Sequence, residues 1–224
     1  GLKYLNGRKT MMLDSIAIKN LELTKTLYEG KKRGSLLWLL DKTQTGMGAR
    51  LLTNLILNPL NSREEICFRL DGVEELFNAT VIRIGIAETL KGIRDIERIA
   101  GKISNNNLTP RDCENLALSL AIVPSLKFQL TGFSSPVLMK IVSELHELSE
   151  IRDLLKATIV ENAPVAVKDG GFIREGYNKD LDEFRRIRDG GAGMIAEMET
   201  RERDATGIKN LKIKYNRVFG YMIE

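Results

Sequence analysis

Lysine at every second position is the arrangement in this sequence best suited to act on a partner. From Leu211 the residues alternate, with Leu211, Ile213 and Tyr215 on one side and Lys212, Lys214 and Asn216 on the other. A period of two predicts a strand, apolar on one face and carrying ammonium and amide donors on the other. Such donors suit phosphate oxygens. Arg217 follows and Lys209 precedes, and Glu224 is the only acid in residues 206–224. The same pattern also describes a plain strand whose lysines are solvated, and on pattern alone that reading is preferred. A strand needs a neighbour for its backbone N–H and C=O groups. The only earlier stretch with strand character is residues 165–173, so the partner is expected beyond Glu224, and Gly1 in place of an initiator methionine agrees with a piece of a longer protein.

Catalytic constellations are harder to assemble. The single histidine, His146, lies between acids and is expected at the surface, and Cys67 and Cys113 show no CxxC spacing. A zinc tetrad would need carboxylate help, so no metal site is expected, and the thiols read as reduced. Gly46 and Gly48 suggest a phosphate loop, but no Gly-Lys-Ser/Thr follows and no strand precedes. Close helix packing explains them better. Glu64, Glu65, Asp180, Asp182 and Glu183 fall in first helical turns, where they favour the helix dipole. No catalytic residue and no cofactor is assigned.

The chain has 224 residues, 43% hydrophobic and 29% charged, with a net charge of +4. That permits a nucleic-acid partner without requiring one. No apolar run approaches the roughly 18 residues of a membrane span. Residues 1–10 lack the apolar stretch of a signal peptide. A cytoplasmic protein is expected.

The elements around the basic strand read as helices. Asp14 caps a helix within residues 12–27, and Ser35 opens an apolar run, Leu36-Leu37-Trp38-Leu39-Leu40, which lacks a polar face and so predicts burial nearly all round. Thr43 or Thr45 caps a helix that carries Met47, Leu51 and Leu55 to Asn58-Pro59. Ser62-Arg-Glu-Glu65 reads as a capping box before Ile66, Leu70, Val73 and Phe77. Ile82 to Ile103 keep one helical period, predicting a single long helix with Gly85 and Gly92 inside it. Thr109-Pro110 opens a helix expected to end near Pro124, with Leu126 to Leu130 as room for another turn or two. Ser135-Pro136 opens another, whose face runs Ile141, Leu145, Leu148 and Leu155. After Pro164, Asp169-Gly170-Gly171 reads as a tight turn between short extended pieces. Asn178 then caps a helix with Leu181, Phe184, Ile187, Met194, Ile195 and Met198 on its apolar side, and a bend or local break is expected at Gly190-Gly191-Ala192-Gly193. Its charges, six positive against eight negative between Lys179 and Asp204, exclude a DNA-binding stripe.

In this order the motifs resemble the central part of MutS, the DNA mismatch-repair ATPase. The matching stretches include Met12-Leu13-Asp14, Lys19-Asn20-Leu21-Glu22-Leu23, Ser35 to Thr43, and Met47-Gly48-Ala49-Arg50-Leu51-Leu52 with Asn58-Pro59-Leu60. Further on come Arg69 to Leu76, Asp95-Ile96-Glu97-Arg98-Ile99, Ile173 to Tyr177, Glu199 to Arg203, Thr206-Gly207-Ile208 and Leu211 to Tyr221. The resemblance implies a mainly α fold: a helical bundle of core and lever helices over residues 1–164. Residues 165–224 would be the descending lever helix and the start of a small, incomplete β-containing clamp. It implies that the clamp touches the double-stranded DNA backbone without reading sequence, which turns preference toward phosphate contact for Lys212, Lys214, Asn216, Arg217 and Lys209. It further implies that ATP, Mg and dimerisation belong to the parent's ATPase part, leaving this stretch catalytically inert. The connection between Leu2-Lys3-Tyr4-Leu5 and Met12-Leu13-Asp14 is shorter than the family's, so residues before Thr10 are unassigned. A helical adaptor that binds another protein, with the basic strand incidental, is the alternative.

Overall fold

The computed structural model describes residues 10–218 and 220–224, the side chain of Ala192 excepted. The segment around Leu2–Leu5 and Phe219 of the last motif therefore lie outside the described residues. The chain forms two compact units, one up to Phe172 and the other Ile173–Glu224. Among the described residues it is mainly helical, with one two-stranded antiparallel sheet near the C-terminus.

The first unit contains α1 (Ser15–Asn20), α2 (Leu36–Leu40), α3 (Gly46–Leu57), α4 (Arg63–Asn78), α5 (Thr80–Lys91), α6 (Ile96–Ser104), α7 (Pro110–Leu130), α8 (Pro136–Glu144) and α9 (Ser149–Thr158). Local caps start most of them. Asp14 accepts from Ala17 N–H at 2.6 Å, Ser35 from Trp38 N–H at 3.2 Å, and Thr45 from Gly48 N–H at 3.0 Å. Thr109 and Asp112 cap each other around Pro110 at the head of α7. Around α7 pack α5, α6, α8 and α9. Its Leu126 and Leu130 meet Leu138 of α8 in a buried cluster that Leu76, Ile86, Leu90 and Phe133 surround.

Several expectations are corrected. The turns at Leu126 to Leu130 are helical and belong to α7 itself, which does not end at Pro124 but runs through it to Leu130. An interior proline costs about 3 kcal/mol, and burying a leucine returns about 1.5–3. Leu126 and Leu130, both buried, together offset it.

The long helix predicted through Ile82 to Ile103 is two helices, separated between Gly92 and Asp95. A Cβ on Gly92 would sit 2.5 Å from Ile122 Cδ1, and Arg94 N–H donates to the buried Ser119 hydroxyl at 2.9 Å. Asp95 caps α6 and, with Glu97, grips the Arg50 guanidinium of α3 at 2.6–3.0 Å. The break thus places two carboxylates on a distant arginine. The face from Ile141 to Leu155 is likewise divided between α8 and α9, with Leu148 at φ +46°.

Only Leu37 of α2 is buried, while Trp38 and Leu39 are 47% and 62% exposed. This short helix packs along α3, which covers one side of it. In residues 12–27 the helix is confined to α1. Within residues 165–173 a 3-10 turn, Val167–Asp169, leads into Gly170 and Gly171, both at positive φ. Ile173 after them is a β-bridge residue, so the expected turn is present with an extended residue on its far side, while its near side is the 3-10 turn. Val160 N–H donates to Phe172 C=O at 3.0 Å.

The second unit is α10 (Lys179–Thr206) followed by β1 (Ile213–Asn216) and β2 (Gly220–Ile223). Asn178 accepts from Leu181 N–H at 2.9 Å, and Gly207 closes the helix in the left-handed conformation. The helix runs unbroken through residues 190–193, so the local break expected there does not occur. Three interior glycines cost about 3 kcal/mol relative to alanine. Splitting the helix would require a second nucleus, on the order of 4 kcal/mol.

Candidate nucleic-acid interface

The end of α10 builds the site. Past Gly207, whose N–H donates to Arg203 C=O at 2.8 Å, the chain turns so that Leu211 is buried at 4% exposure. Lys212 exchanges two backbone hydrogen bonds with Glu224, both 2.8 Å. The register then runs Ile213 to Ile223, Lys214 to Met222, Tyr215 to Tyr221 and Asn216 to Gly220. β1 therefore pairs with the residues that follow it, correcting the expectation of a partner beyond Glu224. The signal was present in the sequence: an alternating run, a polar turn and Gly220, which adopts φ +77° where the hairpin closes.

Alternation places the candidate residues as follows. Lys212, Lys214 and Asn216 share one face and are exposed, opposite buried Leu211 and half-buried Ile213. Lys209 precedes the strand and Arg217 stands in the turn, both exposed. Asn216 Oδ1 accepts from Val218 N–H at 2.8 Å, so its oxygen shapes the turn. Lys214 Nζ lies 2.7 Å from Glu224, whose hydrogen bond and charge raise the ammonium pKa. The lysine face also carries Met222, so it is not purely cationic. Tyr215 is not packed away with Leu211: it is 66% exposed and meets the Tyr221 ring edge-on at 5.1 Å.

Two residues that hold the hairpin were missed in the sequence. Arg203 Nε donates to Leu211 C=O at 2.8 Å, and Ile213 N–H donates to Glu199 Oε2 at 3.0 Å. Arg203 and Glu199 also pair with each other one helical turn apart. Their spacing of four was visible, but which backbone they would meet was not.

Elsewhere the chemistry is structural. Among the described residues no group of three or more His, Cys, Asp or Glu could hold a metal. His146 and Cys67 are exposed, and burial pushes the Cys113 thiol up. A Cβ on Gly46 would stand 3.1 Å from Asp95 Oδ2, and one on Gly48 would stand 3.1 Å from Thr45 Oγ1. These glycines serve close packing, leaving room for the Asp95 carboxylate and the Thr45 hydroxyl. No helix among the described residues is long and apolar enough to cross a membrane.

Residues 16–217 match the family described as MutS domain III. The DNA mismatch repair protein MutS of Lachnoclostridium phytofermentans is 44% identical over 221 residues, covering 99% of this chain and 24% of that protein. Its namesake in Brevibacillus brevis is 41% identical over 223 residues, 100% of this chain and 26% of the relative. The one in Clostridium botulinum is 46% identical over 240 residues, with 100% and 26% covered. The chain spans about a quarter of the length of these relatives.

Proposed function

We propose a function from the premise that this chain belongs to the MutS family, of which it carries domain III: within a longer mismatch-repair protein it links an ATPase to a clamp that holds duplex DNA. The hairpin is the clamp's beginning and touches the sugar–phosphate backbone without reading sequence. The observation that carries this reading is the outward placement of Lys212 and Lys214 on one face of β1. Two ammonium groups on a short hairpin suit phosphates, whose contacts carry no sequence information. Packed helices such as α4 to α9 move as bodies, which suits transmission between distant sites. ATP and Mg are assigned to parts of the parent outside this chain, as is the dimer contact, and the stretch itself is not an enzyme.

The test is a fluorescence-anisotropy titration of duplex DNA by the complete protein at several salt concentrations. Three phosphate contacts from this hairpin contribute about −2.7 to the slope of log affinity against log salt. Replacing Lys212 and Lys214 together by alanine is expected to reduce the slope by about 1.8. An unchanged affinity and slope would remove the phosphate role. Residues 1–224 on their own are also expected to show no ATP binding by calorimetry. The exposed Trp38 and Leu39 of α2 favour a second reading, a helical adaptor for another protein. In that case the lysine pair is silent in the titration.

A further inference from the structure

β1 has two edges, and one of them is taken by side chains rather than by a strand. Because Lys212 exchanges both of its backbone bonds with Glu224, the flanking Leu211 and Ile213 backbone groups point away from β2. An added strand would offer one N–H to Leu211 C=O and one C=O to Ile213 N–H. Arg203 and Glu199 supply that same pair: Nε donates to Leu211 C=O at 2.8 Å, and Oε2 accepts from Ile213 N–H at 3.0 Å. Both side chains are partly buried, and their mutual ion pair keeps donor and acceptor side by side.

This arrangement determines which way the hairpin faces. A two-stranded ribbon of four-residue strands is marginal alone. Joined to a helix by a short turn, it could roll about its own axis and present either face. Pinning residues 211 and 213 on either side of Lys212 removes that freedom. With Leu211 buried, alternation leaves the Lys212 and Lys214 side chains pointing outward.

We propose that Glu199 and Arg203 are positioning residues for the DNA contact: acting as a substitute strand on the β1 edge, they hold the lysine face toward the duplex without touching it. This rests on the phosphate-contact reading above, and the two are separable by experiment. In the complete protein, Glu199→Ala should lower the salt slope of duplex binding by about 1.8, as the double lysine replacement does. Glu199→Gln keeps an acceptor for Ile213 N–H and should restore most of the slope. Arg203→Lys keeps the charge but loses the rigid fork that directs separate N–H groups to Leu211 C=O and Glu199, so an intermediate loss is expected. Amide exchange supplies a readout independent of DNA. Ile213 N–H should be protected and lose that protection in Glu199→Ala, while the Lys212 and Glu224 amides, paired across the hairpin, stay protected.

If the lysine replacement lowers the slope and Glu199→Ala does not, the positioning role is overturned and the phosphate reading stands. If neither changes DNA binding, both fall. If Glu199→Ala also exposes the Lys212 and Glu224 amides, the pair merely holds the hairpin folded, and the positioning role is again overturned.

Discussion

Glu224 sets how much charge Lys214 can offer. Its carboxylate sits 2.7 Å from the ammonium, so a phosphate must compete with it. On the phosphate-contact reading, Glu224→Gln should tighten duplex binding by about two- to threefold, an effect that weakens with salt because an exposed pair is screened. Weaker or unaltered binding in the titration would exclude Lys214 as a contact. Glu75 shows a different use of a carboxylate. It reaches from α4 to the head of α8, where it accepts the Ser134 and Ser135 N–H groups at 2.7 and 2.8 Å. Hydrogen bonds from Ser135 and then Ser134 hold its pKa at about 2, below the ordinary 4.5. A depressed carboxylate stabilises the fold fully above its ordinary pKa and loses that contribution as pH falls from about 4.5 to about 2. Glu75→Gln should therefore lower Tm by a few degrees at pH 7 and flatten the acid dependence across that interval in thermal melts. The carboxylate's partners lie 59 and 60 residues away, which no local pattern announces.

Among the elements, α10 and the α4–α8 contact use glycine in opposite ways. A Cβ on Gly72 would meet Val137 Cγ1 at 2.3 Å, so α8 crosses α4 where there is no side chain. Gly72→Ala should destabilise the first unit by about 1–3 kcal/mol in denaturant unfolding. Along α10, a Cβ on Gly190, Gly191 or Gly193 would have nothing within 4 Å, so these glycines permit no close approach among the described residues of this chain. Side-chain bonds tie down both ends instead. Asp182 pairs with Arg185 and accepts from Gly176 N–H near the start, and Glu199 pairs with Arg203 near the finish. Amides in residues 188–196 should exchange faster than those of the braced turns on either side, the unbonded first-turn amides aside. Replacing the three glycines by alanine should slow them by about a hundredfold, following about 3 kcal/mol of helix propensity. Equal protection along the wild-type helix would show that the glycines do not weaken it.

For the whole molecule, exposure on α2 is informative because the chain is about a quarter of its relatives' length. Trp38 is the single tryptophan and is 47% exposed. Its fluorescence in the isolated chain should be open to acrylamide quenching. A blue-shifted, quencher-resistant emission would mean that α2 is covered, for instance by a second copy.

What the sequence determined by itself is what acts over one or two turns. Asp14, Ser35, Thr45, Thr109 and Asn178 stand as caps where their side chains predict them, and the alternation from Leu211 to Asn216 placed both lysines outward. The colinear motifs were enough for the family. Tertiary structure decided whether a periodic run persists or breaks. Pro124 stays within a helix because buried leucines beyond it outweigh the lost bond, whereas the run through Gly92 divides because Ile122, Ser119 and Arg50 claim its backbone and acids. It also decided what covers each surface: α2 is apolar yet exposed, and the β1 edge is occupied by Glu199 and Arg203. Caps and periods are local energies that a few residues carry, while breaks and burial are small differences between large terms contributed by groups far apart in the chain.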